Sequence, residues 1–350
     1  MSEAVPPSPR RRVLTWSASI VGGALLLWLA SRRLRLWPDT LTLPEPALLW
    51  AALAVHVPYV YVRAMRLGWL LDPLVAAASE QPRRRFSRAL VHGSGYVSFF
   101  VLLLLPLKLG ELSRPLLLAR GHEPGVGMPE ALSAVATERV IDGLVICGML
   151  FGGLSLATIA GSAEDVADVR RIGQAMTAVF AVGLVVLFVA GRDPQAAGRL
   201  AARAPGVLGR RGAPIVERVA RAVAGLRDPG LALRLVGASL VYWAITTAQL
   251  WLVMAACGVD VSAGAAAATV AIVGLSIQLP GGPAQAGTFQ VGAALALGLF
   301  LEPALVEGPG STFTAVMYVL QLVAAGLAAL PGLWLLRAAP GADPGADAGA

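Results

Sequence analysis

The sequence predicts an all-α, polytopic transmembrane helix bundle of about six full spans plus two oppositely oriented re-entrant helical hairpins, of inverted-repeat type. Three observations carry this. The chain is 57% hydrophobic and only 14% charged, against roughly 45–50% and about 25% in soluble domains. Several apolar runs approach the roughly 20 residues needed to cross a bilayer. The arginines collect between those runs, as in loops that stay on the cytoplasmic side.

In chain order, Arg10, Arg11 and Arg12 precede an apolar run and resemble the start of a signal peptide or a twin-arginine signal. The run is long, and Arg32 and Arg33 stand where a small-residue cleavage site should be. It is therefore expected to persist as a span, with residues 1–12 a disordered basic N-terminus, 13–337 the membrane domain and 338–350 a disordered tail. The expected full spans are 13–30, 47–62, 140–160, 173–190, 235–257 and 313–336.

Two further apolar runs, 90–107 and 263–280, end in Leu-Pro followed by glycine and polar residues. Pro106 leads to Gly110, and Pro280 leads to Gly281, Gly282, Pro283 and Gly287, roughly half the chain away. Paired Pro/Gly interruptions in two halves mark inverted-repeat transporters, whose site lies where broken helices meet. Irregular backbone at membrane depth needs protein or a water-filled cavity beside it. The hairpins are expected over about 90–120 and 263–300, entering from opposite faces; the alternative is a pair of ordinary Pro-kinked spans or loop ends.

Orientation follows from charge. Arginine-rich segments 63–88 and 191–234 are placed in the cytoplasm, the latter as a basic loop, and the acidic loops near Glu164, Asp165, Asp168, Glu302 and Glu307 on the far side. Arg32, Arg33 and Arg35 contradict this rule if the N-terminus is cytoplasmic. Cys147 and Cys257 both fall in apolar spans and read as small buried hydrophobes. His56, His92 and His122 are scattered without ligand spacing, so no metal is expected. Neither a P-loop nor a dinucleotide fingerprint occurs, and no cofactor is expected. The net charge of +7 has no soluble domain to carry a nucleic-acid surface.

Charge inside the apolar context is the functional signal. Lys108, Glu111 and Arg114 recur at steps of three, so a helical Glu111 and Arg114 share a face and can pair. Glu138, Arg139 and Asp142 occupy one turn at the start of a long apolar helix. Either all six lie at the interface and snorkel, or they face the bundle interior and line a path. In the second case carboxylates and cations partly neutralise each other, and Lys108, Arg114 or Arg139 keeps enough field to hold a phospholipid phosphate.

The strings LPLKLGELSRPLLLARG, TERVIDGL and LPGGPAQAGTFQ resemble the transmembrane-domain family of lysylphosphatidylglycerol synthases, flippase-like membrane proteins, over roughly residues 15–335. Pro106, Gly110, Glu111, Arg114 and Pro115 match the first motif, with Lys108 where arginine is usual. Glu138, Arg139 and Asp142 match the second. Pro280, Pro283, Gly287, Thr288 and Phe289 match the third, where Ala284 replaces glycine and Gln290 replaces glutamate.

The resemblance implies movement of lipid between leaflets by a multi-pass protein of the bacterial inner membrane, with Thr288 and Gln290 on the lipid pathway and a membrane phospholipid as partner. Aminoacyl transfer belongs to a separate soluble domain in that family; the longest polar stretch here, about 40 residues from Gly191, is too short to hold one. No enzyme activity is expected. The alternatives are an enzyme acting on a lipid-phosphate carrier with Glu111, Glu138 or Asp142 as general base, or a scaffold for a synthase or glycosyltransferase. A homo-oligomer or a lipid-modifying partner enzyme is compatible with the leading reading.

Overall fold

Helix α1 (Pro9–Ala30) begins inside the segment expected to be a disordered N-terminus. The computed structural model describes residues 9–38, 41–81 and 83–339; the rest of the expected disordered ends, 1–8 and 340–350, lies outside them. Among the described residues the chain is all-helical with no strand. Five helices are long and apolar enough to cross a membrane: α2 (Ala47–Ala78), α5 (Met128–Leu156), α6 (Ala163–Arg192), α9 (Pro229–Ala256), and α13 (Ser311–Arg337) together with the turn α12 (Pro303–Leu305) before it. The sixth expected span coincides with α1, whose apolar part, Trp16–Ala30, is shorter than these.

Local sequence sets several helix starts. Ser87, Ser162, Asp228 and Ser262 each accept a backbone N–H in the first turn of α3 (Arg88–Leu104), α6, α9 and α10 (Ala263–Ser276), the usual work of N-cap side chains. Between helices, small residues permit the close backbone approach that drives packing in lipid. Gly153 of α5 faces Gly264 and Ala268 of α10, and Gly93 of α3 faces Gly332 of α13. Helix α6 buries little of itself and exposes Val179, Val182, Val185, Val186 and Val189, as a lipid-facing helix does.

Two ends can be defined by contacts. At the arginine-rich end, Arg84 pairs with Glu123 at 2.9 Å and Arg218 with Glu130 at 2.7 Å. At the acidic end, Ala160 N–H donates to Leu299 O at 2.9 Å and Arg33 pairs with Asp165 at 3.2 Å. Two of the three first-loop arginines are thus matched by acids on their own side, Arg33 by Asp165 and Arg35 by Glu307 at 4.0 Å, while Arg32 lies over the Trp28 ring. The expected basic loop 191–234 is instead helical: α7 (Pro194–Ala202) and α8 (Val207–Val223) form a pair folded back on α5 and α6, and α9 already begins at Pro229. Asp193 caps α7 through Ala196 N–H, with Pro194 in its first turn.

Both broken segments are hairpins. Helix α3 runs inward from the arginine-rich end and stops at Leu105. The chain turns through a 3₁₀ segment, Pro106–Leu112, and returns as α4 (Ser113–Ala119). Gly110 lies against Val101 and Leu102, Arg114 near Gly95 and Gly121 against Leu90, an antiparallel register. From the acidic end, α10 runs inward to Ser276 and α11 (Thr288–Phe300) returns, with Gly292 against Val273 and Ser276. The hairpins therefore enter the bundle from opposite ends, and their tips touch: Lys108 Nζ donates to the carbonyl of Ile277.

A Cβ at Gly110 would collide with the Leu102 backbone and stand 2.6 Å from Val101 O. Gly110→Ala is expected to cost about 1–3 kcal/mol by overpacking, read as a lower melting temperature in detergent; an unchanged melt would mean that the turn is looser than the geometry requires.

Candidate functional site

The eight charged side chains nearest the hairpin tips form one interior cluster, and two of them were misplaced by sequence reasoning. Arg63 and Arg66, assigned above to a cytoplasmic loop, lie within α2, which continues to Ala78, and both are buried, Arg66 to 1% exposure. They stay inside because carboxylates and carbonyls meet them there. Arg66 donates to both oxygens of Asp142 (2.5 and 2.9 Å) and to Ser239 Oγ (2.6 Å), and lies 3.4 Å from Glu138. Its guanidinium carbon also sits 4.6 Å over the Tyr242 ring. The signal in the sequence was the apolar stretch Leu67–Leu71 beyond them, too apolar for a loop.

Arg114 is buried and donates to Glu138 at 2.6 Å, with longer bonds to the carbonyls of Arg63 and Ala64. The expected Glu111–Arg114 pair does not form. Glu111 lies in the 3₁₀ turn, where residues three apart eclipse, and it stands 3.9 Å from Lys108 and 3.9 Å from Arg139. Arg139 therefore faces Glu111, while Asp142 serves Arg66. Arg63 has no carboxylate partner among the described residues; it lies 4.6 Å over Phe99 and donates to Gly95 O at 3.4 Å.

Around these groups runs a cavity of about 120 Å³ bounded by α2, α3, α5, α9, α10, α13 and both hairpin tips. Arg63, Lys108, Glu111, Arg139 and Asp142 line it, and an adjoining recess reaches Arg66, Arg114 and Glu138. Five cationic and three anionic side chains thus share the site, an excess of two positive charges in an apolar bundle. Of the eight pathway residues named from sequence, the structure brings six to this place: Lys108, Glu111, Arg114, Glu138, Arg139 and Asp142.

Thr288 and Gln290 are buried but are not among the cavity-lining residues. Gln290 Oε1 accepts the N–H of Gly287 at 2.8 Å and so caps α11, and Thr288 Oγ1 donates to Gln285 O at 3.0 Å. An amide oxygen performs this capping as a carboxylate does, so glutamine in place of glutamate keeps the second tip in shape. Gln285 and Phe289 line the cavity from this hairpin. The tips also hold backbone in the left-handed region, at Lys108 (φ 63°) and at Ala284 and Gln285 (φ 58° and 60°). Side chains disfavour that region by about 1–2 kcal/mol. Ala284→Gly is accordingly expected to raise stability by about 1 kcal/mol, measured as a higher melting temperature; a lower one would contradict the strained turn.

The helix breaks Pro280, Gly281, Gly282, Pro283 and Gly287 form a compact turn stitched by Gly282 N–H to Ala286 O (3.0 Å) and seated on α1, where Ser19 Oγ donates to Gly281 O (2.9 Å).

Compared with known families, the chain matches the family model described as lysylphosphatidylglycerol synthase TM region over residues 16–332. Neither the curated proteins nor the solved structures compared with it give a match.

Proposed function

We propose that this chain, which belongs to the lysylphosphatidylglycerol synthase TM-region family, moves phosphate-bearing lipid between membrane leaflets through the cavity where its two hairpin tips meet. The observation that carries the reading is the charge imbalance there: five cations against three carboxylates, with Arg63 lacking a carboxylate among the described residues and Lys108 and Arg139 sharing the distant Glu111. Uncompensated positive charge inside an apolar bundle is costly and marks a substrate path. A phosphodiester anion supplies the missing charge and accepts charge-assisted hydrogen bonds from guanidinium and ammonium groups.

The hairpins support transport specifically. Broken helices entering from opposite ends place irregular backbone at mid-bundle, the arrangement in which alternating access works around a fixed site. In this reading the tips are re-entrant, the arginine-rich end is cytoplasmic and the protein resides in a bacterial inner membrane. A carrier is favoured over an enzyme because Glu138 and Asp142 are committed to Arg66 and Arg114 and Glu111 is shared between two cations, which leaves no carboxylate disposed as a general base.

A photoactivatable anionic phospholipid tests the reading on purified protein. Cross-links are expected on peptides of α2, α5 and the 3₁₀ turn that line the cavity, competed by unlabelled anionic lipid. Labelling confined to the outer faces of α6 and α13 would contradict it.

A further inference from the structure

The paired helices α7 and α8 form an arm whose position and exposed face a lipid pathway at the hairpin tips does not require. Its base is fixed. Arg218 of α8 donates to both oxygens of Glu130 at 2.7 Å, and Ser133 Oγ of α5 donates to Val219 O at 3.1 Å. Gly191 of α6 lies against the backbone of Val223 and Ala224. At the other end, residues 202–207, where α7 stops and α8 begins, are exposed throughout.

Helix α6 sets the height of that base. Its uncharged stretch, 172–190, is about 28 Å long at 1.5 Å per residue, which matches a hydrocarbon core of roughly 30 Å. Gly191 and Arg192 then stand at the hydrocarbon boundary, and α7 starts at Pro194, about 6 Å beyond Ala190. The headgroup layer is about 5–7 Å thick on each side. The arm therefore leaves the bundle within it.

The face that the arm presents there mixes charge with apolar groups. Val207, Arg210, Arg211 and Ile215 share one exposed side of α8 by their i, i+3, i+4 and i+8 spacing. Val207 and Ile215 are 56% and 50% exposed, and Leu200 of α7 is 65% exposed. Arg203, Arg210 and Arg211 are exposed and have no carboxylate at ion-pair distance among the described residues, whereas Arg199, Arg218 and Arg221 each have one. Arginines interleaved with aliphatic side chains suit a helix lying in a membrane interface, where the apolar groups reach the acyl boundary and the cations meet lipid phosphates. An acidic soluble partner would satisfy the arginines but would leave the headgroup-level placement of the aliphatic groups without a use.

We propose that the α7–α8 arm docks on the anionic headgroups of the leaflet at the arginine-rich end, with Arg203, Arg210 and Arg211 on phosphates and Leu200, Val207 and Ile215 at the edge of the acyl chains. Docking requires membrane residence but not lipid transport, so it stands or falls apart from the cavity. Each basic residue beside an anionic leaflet favours the docked arm by roughly fivefold, and three together by roughly a hundredfold.

A nitroxide placed through Val207→Cys or Ile215→Cys reads depth, by its relaxation with oxygen, which partitions into lipid, against a nickel complex, which stays in water. Cys147 and Cys257 are buried, and the unaltered protein reports any background labelling. The full-length protein is reconstituted in symmetric vesicles of phosphatidylcholine alone or in equimolar mixture with phosphatidylglycerol. In the anionic vesicles both labels are expected on the acyl side of the phosphates, with oxygen dominating. Changing Arg203→Gln, Arg210→Gln and Arg211→Gln together should shift both labels toward the nickel complex, as should removal of phosphatidylglycerol. Melting temperature should stay close to that of the labelled parent, since these arginines hold no partner in the fold; if the triple variant does not fold, the pair Arg210→Gln, Arg211→Gln decides.

Labels dominated by nickel in the anionic vesicles overturn the docking and leave this face to a soluble partner. Equal depth with and without the three arginines, or with and without phosphatidylglycerol, overturns the recognition of anionic headgroups.

Discussion

Asp142→Ala is expected to destabilise the protein by about 3–5 kcal/mol, because it strips the principal carboxylate from a guanidinium that is 1% exposed. Removing one member of a buried pair leaves a charge with neither water nor partner, and Glu138, 3.4 Å from Arg66, is already bonded to Arg114. Arg66 cannot swing outward, since Ser239 Oγ and the Tyr242 ring hold it. The double variant Arg66→Met, Asp142→Leu should recover most of the loss, because an apolar pair of similar volume has no charge to desolvate. Unfolding of Arg66→Met, of Asp142→Leu and of the double variant in mixed micelles measures the coupling. If Asp142→Ala unfolds within about 0.5 kcal/mol of the unaltered protein, the network is solvated and the buried-cluster account fails.

Lys108→Ala and Arg139→Ala should have the opposite profile, a loss of lipid exchange of at least about tenfold with melting temperatures close to the unaltered protein. Their side chains are 21% and 35% exposed, and both lean on Glu111 at 3.9 Å, at the edge of ion-pair contact. Each is removed with a small folding cost, yet each takes away part of the field that holds a phosphate. Lys108 has a second duty, since its ammonium bridges the hairpin tips through the Ile277 carbonyl. Lys108→Arg keeps the charge and adds a fork suited to phosphate, so it should retain exchange. Arg114→Ala is a poorer probe than its sequence motif suggests, because Arg114 neutralises the buried Glu138 and its loss would confuse folding with transport. Leaflet exchange and melting temperature measured on the same preparations separate the two classes; equal exchange in all variants would remove the charges from the pathway.

Much of the architecture was legible because lipid imposes strong rules on sequence. Apolar length located five of the six expected spans and Leu-Pro followed by glycine located both hairpin tips, whereas helix ends were less legible, α2 running on to Ala78 and α5 beginning already at Met128. The pairing inside the site was not legible. Spacing of three suggested Glu111 with Arg114, but the 3₁₀ turn at Pro106–Leu112 rotates the chain so that Glu111 meets Lys108 and Arg139. Arg63 and Arg66 were grouped with the basic segment downstream, since a charge count does not register that α2 continues through them. At Gln290 the structure changes what the substitution means, from a lost carboxylate to a preserved helix cap.

If lipid crosses the bilayer at the meeting point of the hairpins, leaflet exchange follows directly. Full-length protein is reconstituted into vesicles containing acyl-chain-labelled phosphatidylglycerol, and an impermeant quencher reports the outer-leaflet fraction over time, with and without an imposed proton gradient. Exchange well above that of protein-free vesicles is expected in at least one of these conditions, and is expected to be lost in Lys108→Ala and Arg139→Ala. Exchange no faster than in protein-free vesicles under both conditions would contradict it.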